Sequence, residues 1–128
     1  MRTLEPGQQI PAWSLPMTPT TIVSTAIATR DWQDVHHDRD VAQAAGSKDI
    51  FMNILTTNGL VEKYVADWVG HDAELKGIAI RLGAPAHPYD TLTFSGTVTD
   101  VSDGIATIDV VGRVSLGDHV TGTVRVAV

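Results

Sequence analysis

The chain contains no cysteine, so disulfides, thiolate metal sites and a cysteine nucleophile are excluded, and the composition suits a reducing compartment. A cytoplasmic location is expected. Basic residues are also scarce: nine Lys and Arg stand against fifteen Asp and Glu, a net charge of -6. A surface that neutralises phosphates needs the opposite balance, so no nucleic-acid partner is expected. No apolar run approaches the ~20 residues of a membrane span, and Met1–Gly7 has no apolar core of signal-peptide length. A soluble protein without a membrane partner is expected. Repeats and low-complexity tracts are missing. No serine lies in a Gly-x-Ser-x-Gly frame, which leaves a nucleophilic serine unsupported, and Gly83–His87 resembles no phosphate loop.

What is present describes one ordinary globular domain. The 128 residues are 43% hydrophobic and 19% charged, enough for one core and too few for two. We therefore read residues 1–128 as a single domain. Pro6, Pro11, Pro16 and Pro19 make residues 1–19 an extended arm with a short edge strand, because proline lacks the N–H and restricts its predecessor. Helical spacing then appears over Thr20–Thr29 and Asp38–Gly46. A longer helix follows between Asn53 and Val69, capped by Asn53 and Gly70. Its apolar residues cover more than one face, which predicts burial, and Gly59 inside it predicts close approach of another backbone or a ligand.

After Gly70 the period becomes alternating, in four half-buried strands around Ile78–Leu82, Leu92–Val98, Ile108–Val114 and Val120–Val128. Asp103-Gly104 and Gly117-Asp118 serve as hairpin signals, so at least the last three strands form an antiparallel meander. Helices before strands indicate an α+β fold. One long apolar helix followed by such strands predicts an antiparallel sheet wrapped around it, the hot-dog arrangement. A lone hot-dog of this size usually pairs with a second, which completes the sheet edge and the groove.

The densest titratable chemistry lies between the first two helices, in Asp31-Trp32-Gln33-Asp34-Val35-His36-His37-Asp38. Asp31 and His36 are five positions apart in a loop, where a scaffold commonly presents reactive groups. Together they can act on one water, Asp31 as base and His36 as orienting group or proton donor. The same residues also fit a turn cap at Asp31 and a hydrogen-bonded loop histidine at His36. A metal reading of His36-His37-Asp38 suffers from adjacent ligands and from the lack of HxxxH spacing around His71, His87 and His119. Those three are expected at the surface, at strand ends, and no metal site is assigned. Trp32 is a candidate pocket wall, and Arg30, Arg39 and Lys48 gather near the loop as cations for an anionic ligand.

The run Asp31–Asp38 resembles the Asp-x-Asn-Pro-Leu-His-x-Asp motif of MaoC-like (R)-specific enoyl-CoA hydratases, with Gln33 at the Asn position and Asp34 at the Pro position. Ile50–Ile54 falls where that family has Ile-Val-His-Gly-Met, and Pro85–Asp90 where it has Pro-Val-x-x-Gly-Asp. Met52 thus replaces a histidine, while Asn53 and Tyr89 replace glycines. Four further runs, His36–Asp40, Gly46–Phe51, Asp90–Gly96 and Leu116–Val120, look like the small subunits of two-component MaoC-like hydratases of bacterial sterol side-chain degradation.

The resemblance implies hydration of an enoyl-CoA, specifically a steroid side-chain enoyl-CoA, with Asp31 and His36 catalytic. Asn53, through its backbone N–H, Trp32 and Gln33 would contact the substrate. No cofactor is implied beyond the CoA of the substrate itself. A larger subunit carrying MaoC-like and DUF35 domains would complete a heterotetramer, in association with a thiolase-like aldolase. Two other classes remain open: a noncatalytic hot-dog partner subunit, and a hot-dog acyl-CoA thioesterase.

Overall fold

The computed structural model describes residues 1–128. Strand β1 (Gln9–Pro16) leads through the Thr18 cap into helix α1 (Pro19–Ala28). Thr18 Oγ1 accepts from the Thr21 N–H at 3.0 Å and Pro19 begins the first turn, where its missing donor loses nothing. A single 3-10 turn (Asp34–His36) and the short helix α2 (Arg39–Ala44) follow, and Gly46 ends α2 at φ +95. The central helix α3 (Ile54–Val69) precedes strands β2 (Leu75–Leu82), β3 (Thr91–Ser102), β4 (Ile105–Val114) and β5 (Gly117–Ala127).

The five strands form one antiparallel sheet in the order β1-β3-β4-β5-β2. Alternation sends Leu92, Phe94, Val98, Ala106, Ile108 and Val110 inward, where they meet Val61, Tyr64, Val65 and Val69 of α3. Phe94 lies between Trp13 and Tyr64, with ring centroids 5.6 and 5.5 Å away. Burying an aromatic there contributes area and oriented ring contacts, so truncation to alanine costs about 3–5 kcal/mol. The expected arm, meander and helix wrapped by a sheet are all present, and β1 extends the expected edge strand to eight residues.

Three sequence expectations differ from the structure. The β3–β4 turn is at Asp103-Gly104, whose φ values of +53 and +74 suit the right-handed twist. The β4–β5 turn, however, falls at Ser115-Leu116, and Gly117 and Asp118 already belong to β5. Asp118 is held there by Arg113 across the strands, with Nε–Oδ1 at 3.1 Å. Helix α3 is buried on one face only: Ile54 and Leu55 are 52% and 53% exposed. A Cβ on Gly59 would meet nothing within 4 Å, so no neighbour in this chain demands glycine there.

Candidate active site

The site begins where α1 ends. Arg30 adopts φ +57, and the Arg30 and Asp31 N–H groups donate back to Ile27 O at 3.0 Å and Ala26 O at 2.9 Å. These paired bonds form a Schellman ending, which turns the chain and delivers Asp31 at a defined angle. Five residues later the 3-10 turn buries His36, and the Asp38 side chain caps α2 through the Val41 N–H. The loop is therefore bounded by two helix ends.

His36 is fixed on both sides. Its Nδ1 is 2.7 Å from Phe51 O, an atom that can only accept, so Nδ1 carries a proton. The Phe51 ring packs edge-on at 5.1 Å. Nε2 then faces Asp31 Oδ2 at 3.3 Å. The Asp31 carboxylate is held as well: Oδ1 accepts the Gln33 N–H at 3.3 Å and Oδ2 accepts Asn53 Nδ2 at 3.2 Å. Asp31 and His36 border a pocket of about 300 Å³, with Gln33, Met52, Ile54 and His119 among its lining. A wider hollow of about 430 Å³ on the outer face of β2, β4 and β5 contains no histidine, so size and chemistry do not coincide.

Of the five residues singled out from sequence, Asp31, His36 and Gln33 line this pocket. Trp32 is 64% exposed and lies outside the lining. Asn53 is 1% exposed; its side chain is turned away into the protein, while its neighbours Met52 and Ile54 line the pocket. The Asn53 N–H donates to no acceptor within the chain and stands at the start of α3, the positive end of the helix dipole. Of the three cations, Arg39 pairs with Asp49 at 3.8 Å, and none lines the pocket.

The surface assignment of two histidines is corrected. His87 and His119 are 5% and 2% exposed, whereas His71 does lie outside. His87 Nδ1 is tied to Ile50 O at 2.9 Å. His119 joins Ala84 O through Nδ1 at 2.7 Å and Thr57 Oγ1 through Nε2 at 2.8 Å, and burial pushes its pKa below 6.5. Strict alternation would send only one of His119 and Val120 inward. A bulge opposite Gly112 and Arg113 instead turns both in, and no local sequence signal marks it.

Next to His119, the Gly83 and Ala84 N–H groups donate to His119 O and Asp118 O, both at 2.8 Å. A Cβ on Gly83 would come within 2.3 Å of Asp118 O, so only glycine lets this rim lie so close to β5. Asp90 serves as a brace rather than a reactive group. Its oxygens accept Thr91 N–H, Ser115 N–H and Ser115 Oγ–H, and although burial opposes ionisation, these bonds hold its pKa below the ordinary carboxylate value.

This hot-dog with an Asp–His pair at the helix-flanked loop defines the class, and comparison with known proteins gives the family. The MaoC-like domain model matches residues 3–120. The chain is 61% identical over 121 residues to the 3-oxo-4,17-pregnadiene-20-carboxyl-CoA hydratase beta subunit of Mycobacterium tuberculosis, covering 94% of each. It superposes on a chain of the ChsH1-ChsH2 complex from Mycobacterium tuberculosis with a TM-score of 0.95 and 59% identity, covering 98% of both chains. The (R)-hydratase from A. caviae shares the fold, with a TM-score of 0.89 at 20% identity over 100% of this chain and 99% of that one. The chain belongs to the MaoC-like domain family.

Proposed function

We propose that this protein hydrates the α,β double bond of an enoyl-CoA thioester, a steroid side-chain enoyl-CoA, as the catalytic subunit of a hetero-oligomeric hydratase. The observation that carries the reading is the 3.3 Å approach of Asp31 Oδ2 and His36 Nε2 at the pocket, with the His36 tautomer set by Phe51 O. With the Nδ1 proton held by Phe51 O, the neutral form of His36 presents an acceptor at Nε2 beside a second acceptor, Asp31 Oδ2. A water that donates one hydrogen to each satisfies both. Such a water has its oxygen directed away from the pair and toward the pocket.

The steps follow from that arrangement. The water oxygen bonds to the β-carbon while the dyad takes its proton, and the π electrons move onto the thioester as an enolate. The enolate collapses by taking a proton from the dyad at the α-carbon, so both parts of the water end on the substrate and the pair is regenerated. The free Asn53 N–H at the start of α3 is the donor we assign to the enolate oxygen. Addition of water involves no net redox change and the dyad handles both protons, so we assign no cofactor beyond the substrate's CoA and no metal. Gln33 is assigned to the pocket wall.

The relative's printed name and its share of sequence support the steroid acyl group and the beta-subunit role. The partner we propose is a larger subunit with MaoC-like and DUF35 domains, in a heterotetramer that associates with a thiolase-like aldolase. Three features of the lone chain support an absent neighbour: the unpaired edge of β2, the exposed Ile54 and Leu55, and Gly59 facing open space. No helix is long and apolar enough to cross a membrane, and with no cysteine in the sequence we place the protein in the cytoplasm.

Mixing the chain with and without that larger subunit, while following enoyl-thioester absorbance and free thiol together, tests the reading. Absorbance loss only in the mixture, without thiol release, is the expected result. Thiol release would indicate a thioesterase, and no absorbance loss in either sample would leave a noncatalytic partner.

A further inference from the structure

We infer that the Asn53 side chain is a positioning residue for the water-activating pair, acting through Asp31; this deepens the hydration reading and rests on it. The Asn53 amide is 1% exposed and fully engaged. Its oxygen accepts the Thr56 N–H at 3.3 Å and the Thr56 hydroxyl, and its nitrogen donates to Thr29 Oγ1 at 2.8 Å and Asp31 Oδ2 at 3.2 Å. A backbone N–H can only donate, so the amide oxygen must face Thr56. The NH2 group must therefore face Asp31.

Capping α3 requires only a side-chain oxygen, and serine or aspartate supplies one as well as asparagine. The amide nitrogen has a separate effect. It reaches Asp31 Oδ2, the oxygen that faces His36, while the Gln33 N–H holds Oδ1. With a donor on each oxygen, the carboxylate plane cannot turn about its last bond, and the lone pair aimed at the pocket keeps its direction. One residue thus joins three parts of the site: the end of α1 through Thr29, the start of α3 through Thr56, and Asp31. The Asn53 side chain is outside the pocket lining, and its substitution keeps the backbone N–H assigned to the enolate oxygen, so its loss should disturb turnover rather than substrate affinity.

Asn53→Ser and Asn53→Asp, each made in the full chain with its partner subunit, separate capping from positioning. Both keep the cap; serine is too short to reach Asp31, and aspartate has the length but offers an acceptor. The serine variant is expected to melt close to wild type and the aspartate variant lower, because it buries a second carboxylate beside Asp31, so kcat is read per folded molecule. Both should keep KM within about twofold, because the lining residues are untouched. The serine variant should lose ~10- to 100-fold in kcat, and the aspartate variant more, because a second carboxylate faces the first. Imidazole 15N spectra of the same proteins should show the His36 Nε2 resonance moving while Nδ1, held by Phe51 O, stays.

Unchanged kcat with an unmoved Nε2 resonance overturns the inference. So does a loss of activity fully explained by unfolding, with kcat per folded molecule at the wild-type value. If wild type fails to hydrate enoyl-CoA, the hydration reading falls, and the Nε2 resonance alone then decides whether Asn53 positions Asp31.

Discussion

Arg30 shows how much of the site depends on one backbone conformation. It occupies the left-handed region at φ +57, at the position after a helix end where glycine is preferred, and its N–H bond to Ile27 directs Asp31. A side chain in that region costs roughly 1–2 kcal/mol, part of which glycine returns through the entropy of the unfolded chain. Arg30→Gly should therefore raise stability by up to about 1 kcal/mol in a denaturant titration, with the Schellman turn intact. A destabilised variant would mean that the arginine side chain makes contacts that outweigh the strain. Tyr89, at φ +69, carries the same strain, and its 85% exposure offers no burial in return within this chain.

At the scale of elements, the site depends on the join between β2 and β5. Gly83→Ala places a Cβ 2.3 Å from Asp118 O, so the rim must withdraw and break its two bonds to β5. A loss of about 1–3 kcal/mol in unfolding free energy and a raised KM are expected, measured by denaturant melts and steady-state kinetics. His119, beside it, predicts a pH dependence. Burial keeps it neutral in the fold below 6.5, while the unfolded chain takes up the proton there. The unfolded state thus binds more protons, and stability falls as pH drops below about 6.5 toward the folded value. Between pH 7 and pH 5, wild type should therefore lose more stability than His119→Asn, read from denaturant titrations at each pH. Parallel curves for the two proteins would contradict this.

Tyr64 donates to Pro11 O at 3.0 Å from α3, and burial pushes its pKa up to about 12, so it remains a donor at any working pH. Tyr64→Phe should cost about 1 kcal/mol by loosening the β1 edge, read from thermal melts. These elements also mark the boundary of what the sequence reveals. Period and capping residues locate α1, α3 and the four strands after Gly70, proline density marks the edge strand β1, and five-residue spacing brings out Asp31 and His36. The Asn53 amide bond to Asp31 spans 22 positions, and His119 turns inward at a bulge; neither follows from a local period. Gly117-Asp118 carries the stronger turn chemistry in the sequence, whereas Ser115-Leu116 makes the β4–β5 turn, braced by Asp90.

For the whole molecule, burial of more than one face of α3 holds only if another chain supplies the missing side. Ile54, Leu55 and Gly59 face outward, and β2 has no neighbour beyond it. A pocket of about 300 Å³ is at the small end for a ligand site, and a CoA thioester needs a longer groove than one copy provides. The pair we propose to react, Asp31 and His36, is by contrast complete within this chain. The most direct test of that claim is the hydration rate of a steroid enoyl-CoA by the assembled subunits carrying Asp31→Asn or His36→Ala. Each substitution should lower kcat by ~10² to 10⁴ while the subunits still assemble. Either variant hydrating at the wild-type rate would show that the reaction does not run through Asp31 and His36.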